Sequence, residues 1–308
     1  MKAVQINKFG GAEVLEIIDA EKPKLAKGQV LVKVYASSIN PIDEKIMGGM
    51  IPGLLPFRMG TDFAGIITEL GEEVEGFAVG NQVYGNAIAL AGNSGAFAEF
   101  AAVNMGMIAL MPSNVDFEKA AALPLAGVSA LQTLQEYMKL QKGQRVLIHG
   151  GAGGIGSFAI QIAKYLGAYV VTTATSEGMD FVKKLGADEA IDYTAQKFEE
   201  VAKEYDAVFD TIGGETFEKS FLVLKKGGIL VSMVAKDEKG MAEKFRVTVI
   251  SQQTNVSTEN LQKLTELVKK GVVKPYIDKI YTIDTIKEAF EEKQKGGVLG
   301  KIVIIINQ

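Results

Sequence analysis

Arg145-Val146-Leu147-Ile148-His149-Gly150-Gly151-Ala152-Gly153-Gly154-Ile155-Gly156 decides how this chain is read. An apolar run of strand character enters a glycine cluster, and the cluster opens a helical pattern. In that pattern Ile155, Phe158, Ala159, Ile162, Ala163 and Leu166 recur at helical spacing, and Gly167 follows as a C-terminal cap. Gly151, Gly153 and Gly156 satisfy G-x-G-x-x-G. That spacing serves a tight turn, a close backbone approach to a pyrophosphate, and close helix–strand packing. The helix N-terminus adds free N–H groups and the positive end of its dipole. The stretch predicts a dinucleotide site carried by Gly151, Ala152, Gly153, Gly154, Ile155 and Gly156; the other reading is a purely structural turn.

Working outward, strand and helix patterns alternate on the C-terminal side. Strands are expected at 169–173, 190–193, 207–210, 229–234 and 245–251, and helices at 179–185, 194–203 and 217–224. With 145–148 they make six strands joined by crossover helices, a doubly wound parallel sheet in an α/β fold. On the N-terminal side, residues 1–111 read as β-rich. Val30, Val32 and Val34 alternate with Leu31, Lys33 and Tyr35, and turn residues interrupt the strands at short intervals, as in a barrel or sandwich. Residues 45–59 form an apolar Gly/Pro/Met loop that suits either a cover over a hydrophobic ligand or packing on the core. A helical pattern runs from Phe117 to Tyr137. Beyond Asn260, helices at 261–270 and 286–292 precede a β-branched strand at 301–306, expected to return to the first domain.

With 308 residues, 47% hydrophobic and 23% charged, the composition is that of an ordinary globular protein large enough for two domains. A net charge of −4 with no basic stripe gives no expectation of nucleic-acid binding. No apolar run reaches the ~18 residues of a membrane span. The amino terminus alternates like a strand rather than a signal peptide, so a cytoplasmic location is expected. Cysteine is absent and His149 is the only histidine. That excludes disulfides, thiol nucleophiles, Cys-based zinc sites and serine hydrolysis with a histidine base elsewhere in the chain. His149 itself, at a strand end, reads as structural or phosphate-adjacent.

The cofactor reading turns on Thr172-Thr173-Ala174-Thr175-Ser176. A ribose 2′-OH binder places Asp or Glu near this point, about twenty residues past the glycine loop. An uncharged, hydroxyl-rich tip at Thr175 and Ser176 leaves room for a 2′-phosphate and favours NADP(H) over NAD; Glu177 argues the other way. Tyr193 offers a hydroxyl to the adenosine ribose or is an ordinary strand-end tyrosine. Asp210-Thr211-Ile212-Gly213-Gly214 lies at the carboxyl edge of a strand, where Ile212 and Gly213 would meet the ribose or nicotinamide, or simply turn the chain. By themselves Asn40-Pro41-Ile42-Asp43 and Gly60-Thr61-Asp62 are turns, with Asp62 a structural anchor.

Taken together, several stretches resemble the zinc-independent quinone oxidoreductase / enone reductase branch of the medium-chain dehydrogenase/reductase superfamily, zeta-crystallin-like members included. They are Ala36 to Asp43, Gly60 to Gly65, Gly95 to Phe100, Ala120 to Gly127, His149 to Gly156, Leu185 to Asp188 and Gly296 to Lys301, in family order along the chain. The resemblance implies a GroES-like β-rich catalytic domain at 1–121 and 260–308, a Rossmann domain at 122–259, and NADPH held in a cleft. It implies hydride transfer to a quinone or to the C=C bond of an α,β-unsaturated carbonyl compound, and a homodimer. Asn40 matches the residue beside the nicotinamide, with Asp43 behind it. Lys45 matches a lysine that approaches the nicotinamide or a substrate carbonyl, though an ordinary exposed lysine is the equal alternative. Lys301 joins the cofactor-binding set. Zinc-dependent relatives carry a cysteine-rich lobe after the position of Tyr84; here only about ten residues separate Tyr84 from Gly95, with no cysteine. Two departures stand out: a common 2′-phosphate-binding lysine is Gly178 here, and no tyrosine lies between Asp43 and Leu55. The rival function is an NADPH-binding protein with little catalysis, a sensor or RNA binder.

Overall fold

A computed structural model of the chain describes residues 1–51 and 55–307. It divides into two units, one of Met1–Val128, Val256–Gly271 and Pro275–Gln308, the other of Ser129–Asn255 and Val272–Lys274. The first unit is the GroES-like domain. Its long strand Gln29–Ser38 is largely buried on both faces, and Asp62–Leu70, Phe100–Asn104 and Lys301–Ile305 pair with its edges. The seven-stranded sheet runs Ile277–Thr282, Lys301–Ile305, Gln29–Ser38, Asp62–Leu70, Gln82–Asn86, Ile108–Leu110, with Phe100–Asn104 as a side branch. A three-stranded sheet, Glu16–Asp19, Lys2–Ile6 and Phe57–Arg58, closes over the same apolar core, which includes Val30, Val32, Val34, Phe63, Phe97 and Phe290. The closing strand does return to this domain, with Val303 opposite Ser38 and Ile305 opposite Ala36. The apolar stretch 45–59 begins inside the helix Pro41–Met47 and ends in the strand Phe57–Arg58; residues 52–54 lie outside the described residues.

The second unit is a six-stranded sheet, every neighbouring pair parallel. Its spatial order is Glu189–Asp192, Tyr169–Ala174, Arg145–Ile148, Tyr205–Asp210, Leu224–Ser232, Thr248–Ser251. In chain order this is 3-2-1-4-5-6, the Rossmann arrangement, whose order reverses at the glycine-loop strand. The strand expected at 229–234 begins earlier, at Leu224, and ends at Ser232, and three further expected elements came out differently. The helix expected at 194–203 shrinks to Phe198–Val201, because the Asp192 carboxylate accepts from the Thr194 N–H and hydroxyl and holds that stretch as a turn. The helix expected at 217–224 starts earlier, at Gly214, since Asp210 accepts the N–H groups of Ile212 and Gly213 and turns the chain at once. The strand expected at 245–251 begins only at Thr248; Asp237 accepts from Met241 and Ala242 and starts a short helix, Met241–Phe245, ahead of it.

Candidate active site

In the Rossmann unit the glycines divide the labour by position. A Cβ on Gly151 would lie 2.0 Å from Thr172 Oγ1, and one on Gly156 would lie 2.2 Å from the Gly150 carbonyl. Both are closed by packing. At Gly153 a Cβ would meet only that carbonyl, at 3.4 Å, so its outer side is open. Gly153 is the N-cap of the helix Gly154–Tyr165 and has no side chain to cap it. The first-turn N–H groups of Gly154, Ile155 and Gly156 thus lack a side-chain acceptor, which suits a phosphate.

The hydroxyl-rich tip is largely spent on building this loop. Thr172 Oγ1 donates to the Ile148 carbonyl at 2.6 Å, and Thr173 Oγ1 accepts from the Gly150 N–H at 3.1 Å. Gly150 needs a left-handed φ of 69° to make the turn. Further out Thr175 is half-buried and Ser176 exposed, and the Ser176 hydroxyl donates to the Asp192 carboxylate. Gly178 packs against Ala152, where a Cβ would come to 3.1 Å from the alanine Cβ.

Beside the loop lies a cavity of about 300 Å³ whose lining includes His149, Thr173, Tyr193, Phe198 and Ile212. Tyr193 and Ile212 are exposed along its edge. Gly213 takes a φ of 81°, held there by Asp210. His149 is buried, with Nδ1 3.4 Å from Thr173 Oγ1 and Nε2 3.0 Å from Ser220 Oγ. Burial pushes its pKa down to about 4, so the ring is neutral near pH 7. Its position is structural.

In the GroES-like unit, Asn40, Asp43, Thr61, Asp62, Asn86 and Lys301 form a buried polar cluster. The Asn40 amide bridges two charges. Lys301 Nζ donates to Asn40 Oδ1 and to the Ile39 carbonyl, while Asn40 Nδ2 donates to Asp62 Oδ2 at 2.9 Å and to Thr61 Oγ1 at 2.9 Å. A cation that only donates and a carboxylate that only accepts fix which way the amide points. Asp62 accepts again from Asn86 Nδ2 at 3.1 Å and the Leu125 N–H at 3.0 Å, as an anchor should. Asp43 reaches back from the first helical turn to the Asn40 N–H at 2.8 Å, and its other oxygen is buried without a partner among the described residues. Burial pushes Asp43 up to about 7 and Lys301 down to about 8, and it raises Asp62 as well. Lys301, expected as a cofactor ligand, is only 4% exposed and acts on Asn40. Lys45 is half-buried in the last turn of the same helix, its ammonium without a hydrogen bond or ion pair among the described residues.

Thr61, Asn86, Asp192 and Asp210 are polar partners that sequence reasoning did not assign to the site. Asp192 had a signal, since it ends the strand next to the hydroxyl-rich tip. Asn86, supplied by a different strand from Asp62, had none.

Residues 26–113 match the alcohol dehydrogenase GroES-like domain, and residues 185–304 match the zinc-binding dehydrogenase domain. The donor set does not fit the zinc of that second description. There is no cysteine, the single histidine has both ring nitrogens against hydroxyls, and no group of three or more His, Asp or Glu among the described residues could hold a metal ion. The chain is 37% identical over 317 residues to the 2-methylene-furan-3-one reductase of Solanum lycopersicum, across 99% of this chain and 79% of that protein. It is 35% identical over 317 residues, with the same coverage, to the chloroplastic NADPH-dependent alkenal/one oxidoreductase of Arabidopsis thaliana. The structure of the quinone oxidoreductase from Coxiella burnetii aligns with a TM-score of 0.92 at 33% identity, covering 100% of this chain and 99% of that one. With both domains, the open glycine loop and these relatives in agreement, the chain belongs to the zinc-independent quinone oxidoreductase and enone reductase branch of the medium-chain dehydrogenase/reductase superfamily.

Proposed function

We propose that the chain is an NADPH-dependent, zinc-independent oxidoreductase acting on a quinone or on the C=C bond of an α,β-unsaturated carbonyl compound. The observation that carries this reading is the helix terminus at Gly153, open and uncapped between two glycines closed by packing. Bound NADPH supplies a hydride. The N–H groups of Gly154, Ile155 and Gly156 would hold the pyrophosphate, and Gly151 and Ala152 shape the turn before them. Thr175, Ser176 and Tyr193 serve the adenosine side, and Ile212 and Gly213 the opposite side.

The GroES-like domain contributes Asn40, Asp43 and Lys45, with Lys301 acting by holding the Asn40 amide. Lys45, the one of these with an uncommitted charge, steadies the substrate oxygen as negative charge develops on it. Water delivers the final proton, to the α-carbon of an enolate or to the oxygen of a quinolate, with no dedicated acid. Among the described residues no helix is long and apolar enough to cross a membrane. We place the protein in the cytoplasm as a homodimer, without nucleic acid or membrane partners. Sedimentation of the purified chain checks the dimer.

The test is NADPH oxidation with phenanthrenequinone and with a panel of simple enones, with and without EDTA. Turnover that survives the chelator is expected. Tight NADPH binding with no turnover across the panel would replace the enzyme by a binding protein, and loss of activity in EDTA would defeat the zinc-free reading.

A further inference from the structure

The strand tip that ordinarily carries an acidic residue for a ribose 2′-OH is uncharged here, yet a carboxylate reaches the same place from the neighbouring strand. Asp192 ends the strand Glu189–Asp192 and stands in parallel register with Ala174. One of its oxygens accepts from the Ser176 hydroxyl, and the other from the Thr194 N–H at 2.9 Å and hydroxyl at 2.6 Å. These hydrogen bonds, Ser176 first, hold its pKa below the ordinary carboxylate value, so it is ionised at neutral pH. No lysine or arginine lies between 174 and 182, while Glu177 and Asp180 do. At 178 the packing against Ala152 leaves little room for a long cationic side chain. Tyr193, next in sequence, lines the cavity beside the glycine loop, as do Lys197 and Lys219, whereas Asp192 itself meets the strand tip through Ser176.

We infer that Asp192, with Ser176 as its hydrogen-bonded companion, is the residue that sets the cofactor preference of this chain. It accepts from a ribose 2′-OH and opposes a 2′-phosphate, so that NADH is used alongside NADPH. The inference rests on the proposed nicotinamide-dependent activity, but it concerns only recognition of the ribose. Two physical terms act in the same direction. A charge-assisted hydrogen bond favours the free hydroxyl, and like-charge repulsion at short range disfavours the phosphate.

The experiment measures binding, not turnover: dissociation constants of NADPH, NADH, 2′,5′-ADP and 5′-AMP on the full chain by calorimetry. Asp192→Asn keeps an acceptor for Thr194 and a polar partner for Ser176 but removes the charge. Its expected effect is a shift of about tenfold or more in the NADPH:NADH and 2′,5′-ADP:5′-AMP affinity ratios toward the phosphorylated ligands. Glu177→Gln removes a like charge from the same turn without touching Ser176, and should move the ratios less than about twofold. Ratios unchanged in Asp192→Asn, or shifted equally by Glu177→Gln, overturn the assignment to Asp192. If none of the four ligands binds the unaltered chain, the proposed function falls, and this inference with it.

Discussion

The two polar regions of this protein solve opposite problems. The glycine loop offers backbone, at an uncapped helix terminus, so its chemistry lies in which side chains are missing. The cluster around Asn40 is built of side chains, so its chemistry lies in charges held out of water. In the loop, space is the controlled quantity, closed at Gly151 and Gly156 and open at Gly153. In the cluster, it is orientation: one amide pinned between the Lys301 ammonium and the Asp62 carboxylate. Damage should therefore look different in the two places. A charge deleted from the cluster strands its buried partners, whereas a methyl added to the loop does steric harm that depends on which glycine receives it.

The largest effect is expected from Lys301→Met. It leaves Asp62 buried beside Asp43 with no cation, and breaking a buried charge network in this way costs about 3–5 kcal/mol. Urea unfolding measures it, and Asp62→Asn in the same chain should recover a substantial part. A loss below about 1 kcal/mol would mean that Asp62 is neutral in the folded chain and the network is not held by charge.

Next in size come the glycines, where the loop offers its own internal control. Gly156→Ala drives a methyl to 2.2 Å from the Gly150 carbonyl and 2.6 Å from the Gly151 Cα. Overpacking of that kind costs about 1–3 kcal/mol, and nucleotide binding should weaken along with stability. Gly153→Ala meets only an ordinary contact at 3.4 Å. It should leave the unfolding midpoint nearly in place and still weaken NADPH by about tenfold or more, because the methyl occupies the phosphate's approach. If both variants lost stability equally, the division between packing glycines and an open glycine would be wrong.

The regions should also part company in acid. Asp43 keeps a proton in the folded state up to about pH 7 that the unfolded chain releases near 3.8. Its contribution is intact below 3.8 and is lost as pH rises through 7. His149 runs the other way, intact above its unfolded value of 6.5 and lost as pH falls through about 4. Each can tilt stability by at most about 1.4 kcal/mol per pH unit where its two states differ by a whole proton. Between pH 4 and 7 the two oppose each other. Relative to the unaltered chain, Asp43→Asn should make the slope of stability with pH more positive over that window, with Asp62, also raised by burial, still acting the other way, and His149→Gln should make it more negative. Thermal unfolding of both variants at several pH values decides; parallel curves would show that neither group titrates on unfolding as its burial implies.

The same contrast explains what could be read from the chain alone. The Rossmann unit was legible because a glycine turn, a strand before it and a helix after it are contiguous, and six strands repeat one pattern. Three of its misplaced elements, at 194–203, 217–224 and 245–251, share one cause. Asp192, Asp210 and Asp237 each turn the backbone through hydrogen bonds that a periodicity argument does not see. The cluster was legible only in part. Asn40 and Asp43 are three residues apart and were named together, but Thr61, Asn86 and Lys301 reach them from strands and turns up to 261 residues away. Lys301 is expected at the cofactor, and nothing in Gly300-Lys301 says that its side chain also turns inward to Asn40.

Lys45 should give the smallest effect on the fold and the sharpest on chemistry. It is half-buried and has no partner among the described residues, so Lys45→Met should change stability by no more than about 0.5 kcal/mol. If its ammonium steadies the substrate oxygen, kcat with an enone should fall by about 10- to 100-fold while the dissociation constant of NADPH stays put. A quinone should suffer less. The oxygen of a reduced quinone delocalises its charge over an aromatic ring, whereas an enolate oxygen is more basic and leans harder on a nearby cation. Equal losses of kcat with both substrates would defeat the dependence on oxygen basicity, a raised KM at unchanged kcat would assign Lys45 to binding, and no loss with either would return it to the ordinary exposed lysine of its alternative reading.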